Sequence, residues 1–233
     1  MKNKVLIVAA HPDDEVLGCG GTIVKHAMEG DRVFVLILSE GITSRDEVRN
    51  VQKRKREMNI LNRQIHKAAN ILNITDIYTF NYPDNRFDTV ALLDIVKTIE
   101  KVKNEIKPEI VYTHHHGDLN IDHRITFDAV MTATRPVKSE SVKEIYSFEV
   151  PSSTEWYVSS EKSYFIPNVF VDISDTIDKK IEALRVYKSE IRPFPHPRSP
   201  EYVKSLAKMR GSNSGLKYAE AFCLIRSLKV KDL

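Results

Sequence analysis

Short unbroken apolar runs alternate along this chain with stretches of helical periodicity. The run from Val5 to Ala10 is continuous and bounded by polar residues, the pattern of a strand buried on both faces of a parallel sheet. Similar runs stand at Val33 to Leu38, Asp76 to Phe80, Glu109 to Thr113 and Val142 to Phe148. Between them the periodicity predicts helices over Val16 to Glu29, closed by Gly30, and over Asp46 to Leu72. Two more follow, Thr89 to Glu105, closed before Pro108, and Ile125 to Thr134, closed before Pro136. Strands joined by helix-length crossovers predict an α/β, Rossmann-like, mostly parallel sheet with helices on both faces. Ligands in such sheets sit beyond the carboxyl ends of the strands.

After Phe148 the alternation weakens. Val169 to Ile173 reads as a strand and Ser174 to Glu190 as a helix. Arg192 to Pro200 holds four of the ten prolines and is read as an ordered loop, because proline lacks the N–H that regular structure needs. A helix over Glu201 to Met209 and an apolar run from Ala219 to Ile225 complete the chain. Its 233 residues, without internal repeat, read as a single domain spanning 1–233.

Composition narrows the function classes. With 42% hydrophobic and 29% charged residues the chain has enough apolar surface to fold. The net charge is only +3, and Lys53-Arg54-Lys55-Arg56 is read as a solvated helix face, so nucleic acid is not an expected partner. The six-residue run at Val5 is too short for a secretory h-region. No segment approaches the ~20 apolar residues that span a bilayer, so membrane insertion is not expected. Cys19 and Cys223 are too few for a disulfide framework and form no metal-type pair, which points to the reducing cytoplasm.

Two polar clusters follow buried strands directly: His11-Pro12-Asp13-Asp14-Glu15 after the first, and His114 to His123 after the fourth. Imidazole and carboxylate together suit zinc, and a catalytic zinc takes three protein ligands while leaving one position open. His11 and Asp14 with one histidine of the second cluster supply that set. Bound zinc brings water to a pKa near ~7, from ~15.7 in bulk. Two adjacent aspartates repel each other unless a cation or separate roles keep both charged, so Asp13 is read as the general base beside a metal-binding Asp14. Helix capping by the acidic run is the plainer alternative, and the matching His-rich loop argues against it. Gly18, Gly20 and Gly21 invite a nucleotide-binding reading, but Gly-x-Gly-x-x-Gly needs glycine at Ile23. Close helix packing is the reading that remains.

Taken together, Ala-His-Pro-Asp-Asp-Glu at 10–15, Leu-Gly-Cys-Gly-Gly at 17–21 and Asp118-Leu-Asn-Ile-Asp122-His123 resemble the PIG-L/LmbE deacetylase family. Pro197-Arg198-Ser199 and Tyr218-Ala-Glu-Ala-Phe222 extend the resemblance toward the end of the chain. It implies a Rossmann-like (LmbE-like) fold, zinc on His11, Asp14 and His123, and Asp13 as general base. Fe2+ or another divalent metal is an alternative to zinc. The resemblance also implies an N-acetylated sugar as substrate and Arg45 as a substrate-binding or structuring residue. A homo-oligomer is in keeping with related deacetylases. One departure stands out: many members have a histidine where this chain has Asn120. An amide can donate to an oxyanion but supplies no titrating proton, so the leaving-group proton is expected from Asp13, from His196 or from the His114 to His116 triplet.

The expected reaction is hydrolysis of an acetamide, releasing acetate and a free amine. Asp122 is expected to orient a site side chain, and Arg198, with Arg45 and His196, to contact substrate. Two alternatives stay open: an amidohydrolase acting on a thiol conjugate or aminoglycoside, and a metal-containing sugar-binding protein without turnover, which Asn120 alone supports.

Overall fold

The computed structural model describes residues 2–157 and 163–229. Its seven strands are β1 (Lys4–Ala9), β2 (Arg32–Ser39), β3 (Asp76–Tyr82), β4 (Ile110–His114), β5 (Glu144–Phe148), β6 (Val169–Asp172) and β7 (Ala219–Ser227). They form one sheet in the order β3-β2-β1-β4-β5-β7-β6. The first five in that order are parallel, while β7 runs antiparallel to both β5 and β6. The final apolar run is therefore an inner strand of opposite direction in an otherwise mostly parallel sheet.

The unbroken apolar runs are explained by two cores. Val5, Ile7, Ala9, Val33, Val35 and Ile37 pack against α1 (Asp14–Glu29), α2 (Val51–Leu72), α5 (Ile177–Leu184) and α6 (Pro200–Ser212) on one face. Their neighbours Leu6, Val8, Ala10, Phe34, Leu36 and Leu38 pack against α3 (Leu92–Ile106) and α4 (Ile121–Ala133) on the other. A strand covered on both sides has no polar face to alternate. β3 is the contrast: it is a half-exposed edge strand and continues to Tyr82, beyond the predicted end at Phe80.

The largest departures from the sequence reading fall at three helices, each for a local reason. α2 begins at Val51 rather than Asp46, because the Asn50 side chain accepts the Lys53 N–H as its cap and Asp46 is held outside the helix by Arg54 at 2.7 Å. α4 begins at Ile121 rather than Ile125, because Asn120 accepts the Asp122 N–H. α5 covers only Ile177–Leu184 of the predicted Ser174 to Glu190, and the buried Tyr187 anchors the turn that follows.

The glycines of α1 serve close packing. A Cβ on Gly18 would overlap the Phe148 ring, and one on Gly21 would lie 2.8 Å from Ile173 Cγ2. α1 is kinked at Cys19 (φ −146°, ψ 24°). Buried Lys180 donates to Leu17 O at 2.8 Å and pairs with Glu220 at 2.6 Å, while Glu220 accepts from the N–H groups of Gly21 and Thr22. These bonds satisfy backbone groups that the kink frees. Among the described residues no helix is long and apolar enough to cross a membrane.

β1 and β4 are neighbours whose following helices leave to opposite faces of the sheet. Their carboxyl ends thus open a crevice at the point where the strand order reverses.

Candidate metal centre

Beyond β1 the chain turns through His11-Pro12-Asp13 into α1, so Asp14 and Glu15 stand in the helix's first turn. Asp13 has φ 102°, a left-handed conformation that costs a non-glycine residue energy and recurs at functional sites. It is held there by its N–H, which donates to Glu15 Oε2, and by its carbonyl, which accepts from Val16 and Leu17. Beyond β4 a loop leads to α4, whose first turn carries Asp122 and His123.

These two turns bring His11 Nδ1, Asp14 Oδ2 and His123 Nε2 to 3.2 Å from one another in each of the three pairings. Tetrahedral zinc with ligands at 2.0–2.1 Å spaces its donors about 3.3 Å apart, which this arrangement matches. Two imidazole nitrogens facing each other at 3.2 Å need a proton or a cation between their lone pairs. Burial would lower His123, but Asp14 and Asp118 push it up to about 9. The field that draws a proton onto a buried imidazole equally favours a cation. Burial alone would raise Asp14, yet the adjacent His123 and His114 hold its carboxyl well below the usual range. Asp14 Oδ1 is buried and has no hydrogen-bond partner. Two histidines and a carboxylate suit zinc and equally Fe2+.

Each histidine has a carboxylate behind it. His11 Nε2 donates to Asp122 Oδ2 at 3.0 Å, and Asp122 Oδ1 accepts the Phe87 N–H at 2.9 Å. His123 Nδ1 lies 3.2 Å from Asp118 Oδ1. Asp118 in turn accepts from the Ser153 hydroxyl, and from Thr154 Oγ1 at 2.8 Å. His114 lies flat against His123, ring centres 3.9 Å apart, and its Nε2 accepts the Ala10 N–H at 2.8 Å. Burial holds that imidazole neutral, well below its usual range.

A cavity of about 90 Å³ opens on this cluster. Its wall includes His11, Pro12, Asp13, Ser44, Arg45, Asp84, Asn85, Asn120, Glu190 and Arg198. Asp13 Oδ1 is buried without a partner, and Oδ2 lies 3.2 Å from Arg198 Nη1. Burial raises the Asp13 carboxyl well above its usual range, against the opposing pull of Arg198. Arg198 is 3.7 Å from Glu190, which binds Arg45 at 2.6 Å. Asp13, Arg198, Glu190 and Arg45 thus alternate in sign along one wall. Asn120 commits Oδ1 to the cap of α4 and one amide hydrogen to Asn85 Oδ1 at 2.7 Å, which leaves its second amide hydrogen.

Of the nine residues singled out from the sequence, His11, Asp13, Asp14, Asn120, Asp122 and His123 converge here, and Arg45 and Arg198 reach the cavity wall. His196 stands outside it: its Nδ1 accepts the Arg198 N–H at 3.1 Å and its ring packs against Trp156. Nor does the histidine triplet line the cavity: His114 is packed beneath His123, His115 donates to Ser163 O, and His116 is exposed beside Phe127. Asp84, Asp118 and Glu190 are additional site residues. Asp84 accepts from the Ser44 N–H and hydroxyl, with its other oxygen 3.5 Å from His11 Nε2. It follows a strand end, the one signal that could have singled it out. Glu190 carries no such signal, lying where the sequence predicts a helix end.

A family described as GlcNAc-PI de-N-acetylase (PIG-L) matches residues 6–134, more than half of the chain. Diacetylchitobiose deacetylase of Thermococcus kodakarensis is 28% identical over 231 residues, covering 93% of this chain and 81% of that protein. 4-oxalmesaconate hydratase of Pseudomonas putida is 28% identical over 228 residues, covering 90% and 80%. Among solved structures, the Pyrococcus horikoshii N,N'-diacetylchitobiose deacetylase in complex with its inhibitor MPG has a TM-score of 0.75 at 23% identity. The match covers 96% of this chain and 84% of that one, a likeness of fold.

Proposed function

The chain belongs to the PIG-L family, and from that premise we propose that it is a zinc-dependent hydrolase removing the N-acetyl group from an amino sugar or sugar conjugate. The observation that carries this reading is the set of three donors spaced 3.2 Å apart beside an unpartnered oxygen of Asp13 on the same cavity.

His11, Asp14 and His123 would hold the metal, which when bound polarises the acetamide carbonyl and lowers the pKa of water toward ~7. Asp122 keeps the proton of His11 on Nε2, so that Nδ1 presents its lone pair. Asp13 takes the proton of the attacking water on Oδ1, while Arg198 fixes the carboxylate through Oδ2. The same carboxyl, favoured in its protonated form by burial, passes that proton to the departing amine. Asn120 cannot do so and instead turns its free amide hydrogen toward the oxygen that gains negative charge. Arg45 and Arg198 stand on the substrate side, and His196, outside the cavity, accepts the Arg198 N–H. This role for Asn120 is compatible with turnover, and release of acetate separates hydrolysis from sugar binding without turnover.

A second reading is hydration of an unsaturated carboxylate. The likeness to 4-oxalmesaconate hydratase and the two arginines on the cavity wall favour it. Both arginines, however, already pair with Glu190 or Asp13, which leaves little free charge for a carboxylate. The test is acetate release from N-acetylated sugars, nucleotide sugars and thiol glycosides by zinc-loaded protein, with Asp13→Asn as control. Release by the wild type alone is expected. No release from any compound with zinc bound, together with hydration of an unsaturated carboxylate, would replace this reading by the second.

A further inference from the structure

Trp156 is the only tryptophan of the chain, and it is 51% exposed. A free indole at the surface leaves a large apolar area in water. The segment that carries it is nevertheless firmly anchored: Ser153 and Thr154, just before it, are buried. Both hydroxyls donate to Asp118, the carboxylate behind His123, and the Ser153 Oγ also accepts the Asn120 N–H at 3.3 Å. One residue earlier, Ser152 Oγ accepts from Arg198 Nε at 2.9 Å, and the same guanidinium reaches Asp13. Residues 152–154 are thus bonded to both sides of the catalytic cavity. The indole at the end of this segment packs edge-on against His196, ring centres 5.9 Å apart, and His196 is fixed through the Arg198 N–H.

We infer that Trp156, backed by His196, is an aromatic platform at the mouth of the cavity that stacks against a pyranose ring of the substrate. The acetamide enters the cavity beside Asp13 and Arg198, and the sugar that bears it extends outward past Arg198, whose N–H is bound by the His196 that packs on the indole. The apolar C–H face of a pyranose fits an indole face, and the inference rests on the sugar-deacetylase reading for its substrate class. Trp156 is a specificity-determining residue, outside the proton chemistry.

Because the chain has one tryptophan, its emission reports the platform directly. Zinc-loaded Asp13→Asn protein, which binds without turnover, is titrated with N,N'-diacetylchitobiose and in parallel with acetate and N-methylacetamide, which lack a sugar ring. A saturable change in emission with the disaccharide alone is expected. For the active enzyme, Trp156→Ala is expected to raise KM about tenfold with kcat reduced less than threefold, and Trp156→Phe to restore most of the loss, because ring stacking acts on binding. An emission response to the disaccharide without acetate release by the wild type would uphold the platform and reject the deacetylase reading. Acetate release with emission unchanged and KM unaltered in Trp156→Ala would reject the platform and leave the deacetylase reading intact. A Trp156→Ala protein that loses zinc, or whose kcat falls as far as KM rises, would reassign Trp156 to structural support.

Discussion

The cavity is built from two unlike regions of the molecule. On its metal side, His11, Asp13, Asp14, Asp122 and His123 come from the two turns that lead from β1 into α1 and from β4 into α4, and each histidine is held by a buried carboxylate. On its outer side, Glu190 and Arg198, with His196 and Trp156 packed beyond them, come from irregular segments near α5, α6 and β5, and ion pairs and hydrogen bonds across long sequence separations hold them. Chemistry is thus placed where strand geometry fixes position within a few residues. Recognition is placed where geometry depends on tertiary contacts and can vary without disturbing the metal ligands.

Substitutions on the two sides should therefore differ in kind. The largest effect is expected for His123→Ala, which removes a ligand: zinc content falls away and hydrolysis drops to background, as metal analysis beside an activity assay would record. Retained zinc and activity in that variant would break the division at its root. Asp122→Asn keeps all three ligands but frees His11, and its zinc affinity, measured by competition with a chelator, should fall about 10- to 100-fold. The third effect concerns stability. Burial would raise Asp118, but His123 and the hydroxyl donors bring it down to about 2, below the ~3.9 of an unfolded aspartate. A depressed folded pKa stabilises above the unfolded value and is lost as pH falls through the folded one. Metal-stripped protein should lose about 2 kcal/mol between pH 4 and pH 2 that Asp118→Asn does not lose, as denaturant melts at each pH would reveal. Smallest is Arg45→Ala on the outer side, which breaks a half-exposed pair with Glu190. KM should rise about three- to fivefold with zinc affinity unaltered. A loss of zinc there would show that the two sides are one unit.

The same contrast explains what could be read from the sequence. The unbroken apolar runs at Val5 and Val33 revealed a sheet covered on both faces, because burial on two sides removes alternation. The two clusters could be read because they abut those strands. The sequence starts α4 at Ile125, where the apolar periodicity begins, whereas the Asn120 side chain caps a helix that opens with the polar turn at Ile121. The antiparallel direction of β7 left no mark, since an inner strand is apolar whichever way it runs. Glu190 leaves no such signal, because its partners Arg45 and Arg198 lie 145 residues before it and within the proline-rich loop, whose path the sequence does not fix.

The central claim is that one metal and one carboxylate on the strand-end side perform hydrolysis. Its most direct test is to strip the protein, add zinc stepwise, and follow acetate release from N,N'-diacetylchitobiose by the wild type and Asp13→Asn. The expected result is release that rises to a plateau at one zinc per chain, with Asp13→Asn binding the same zinc and working about 10²- to 10⁴-fold more slowly. Release by stripped protein, or an undiminished rate from zinc-saturated Asp13→Asn, would contradict it.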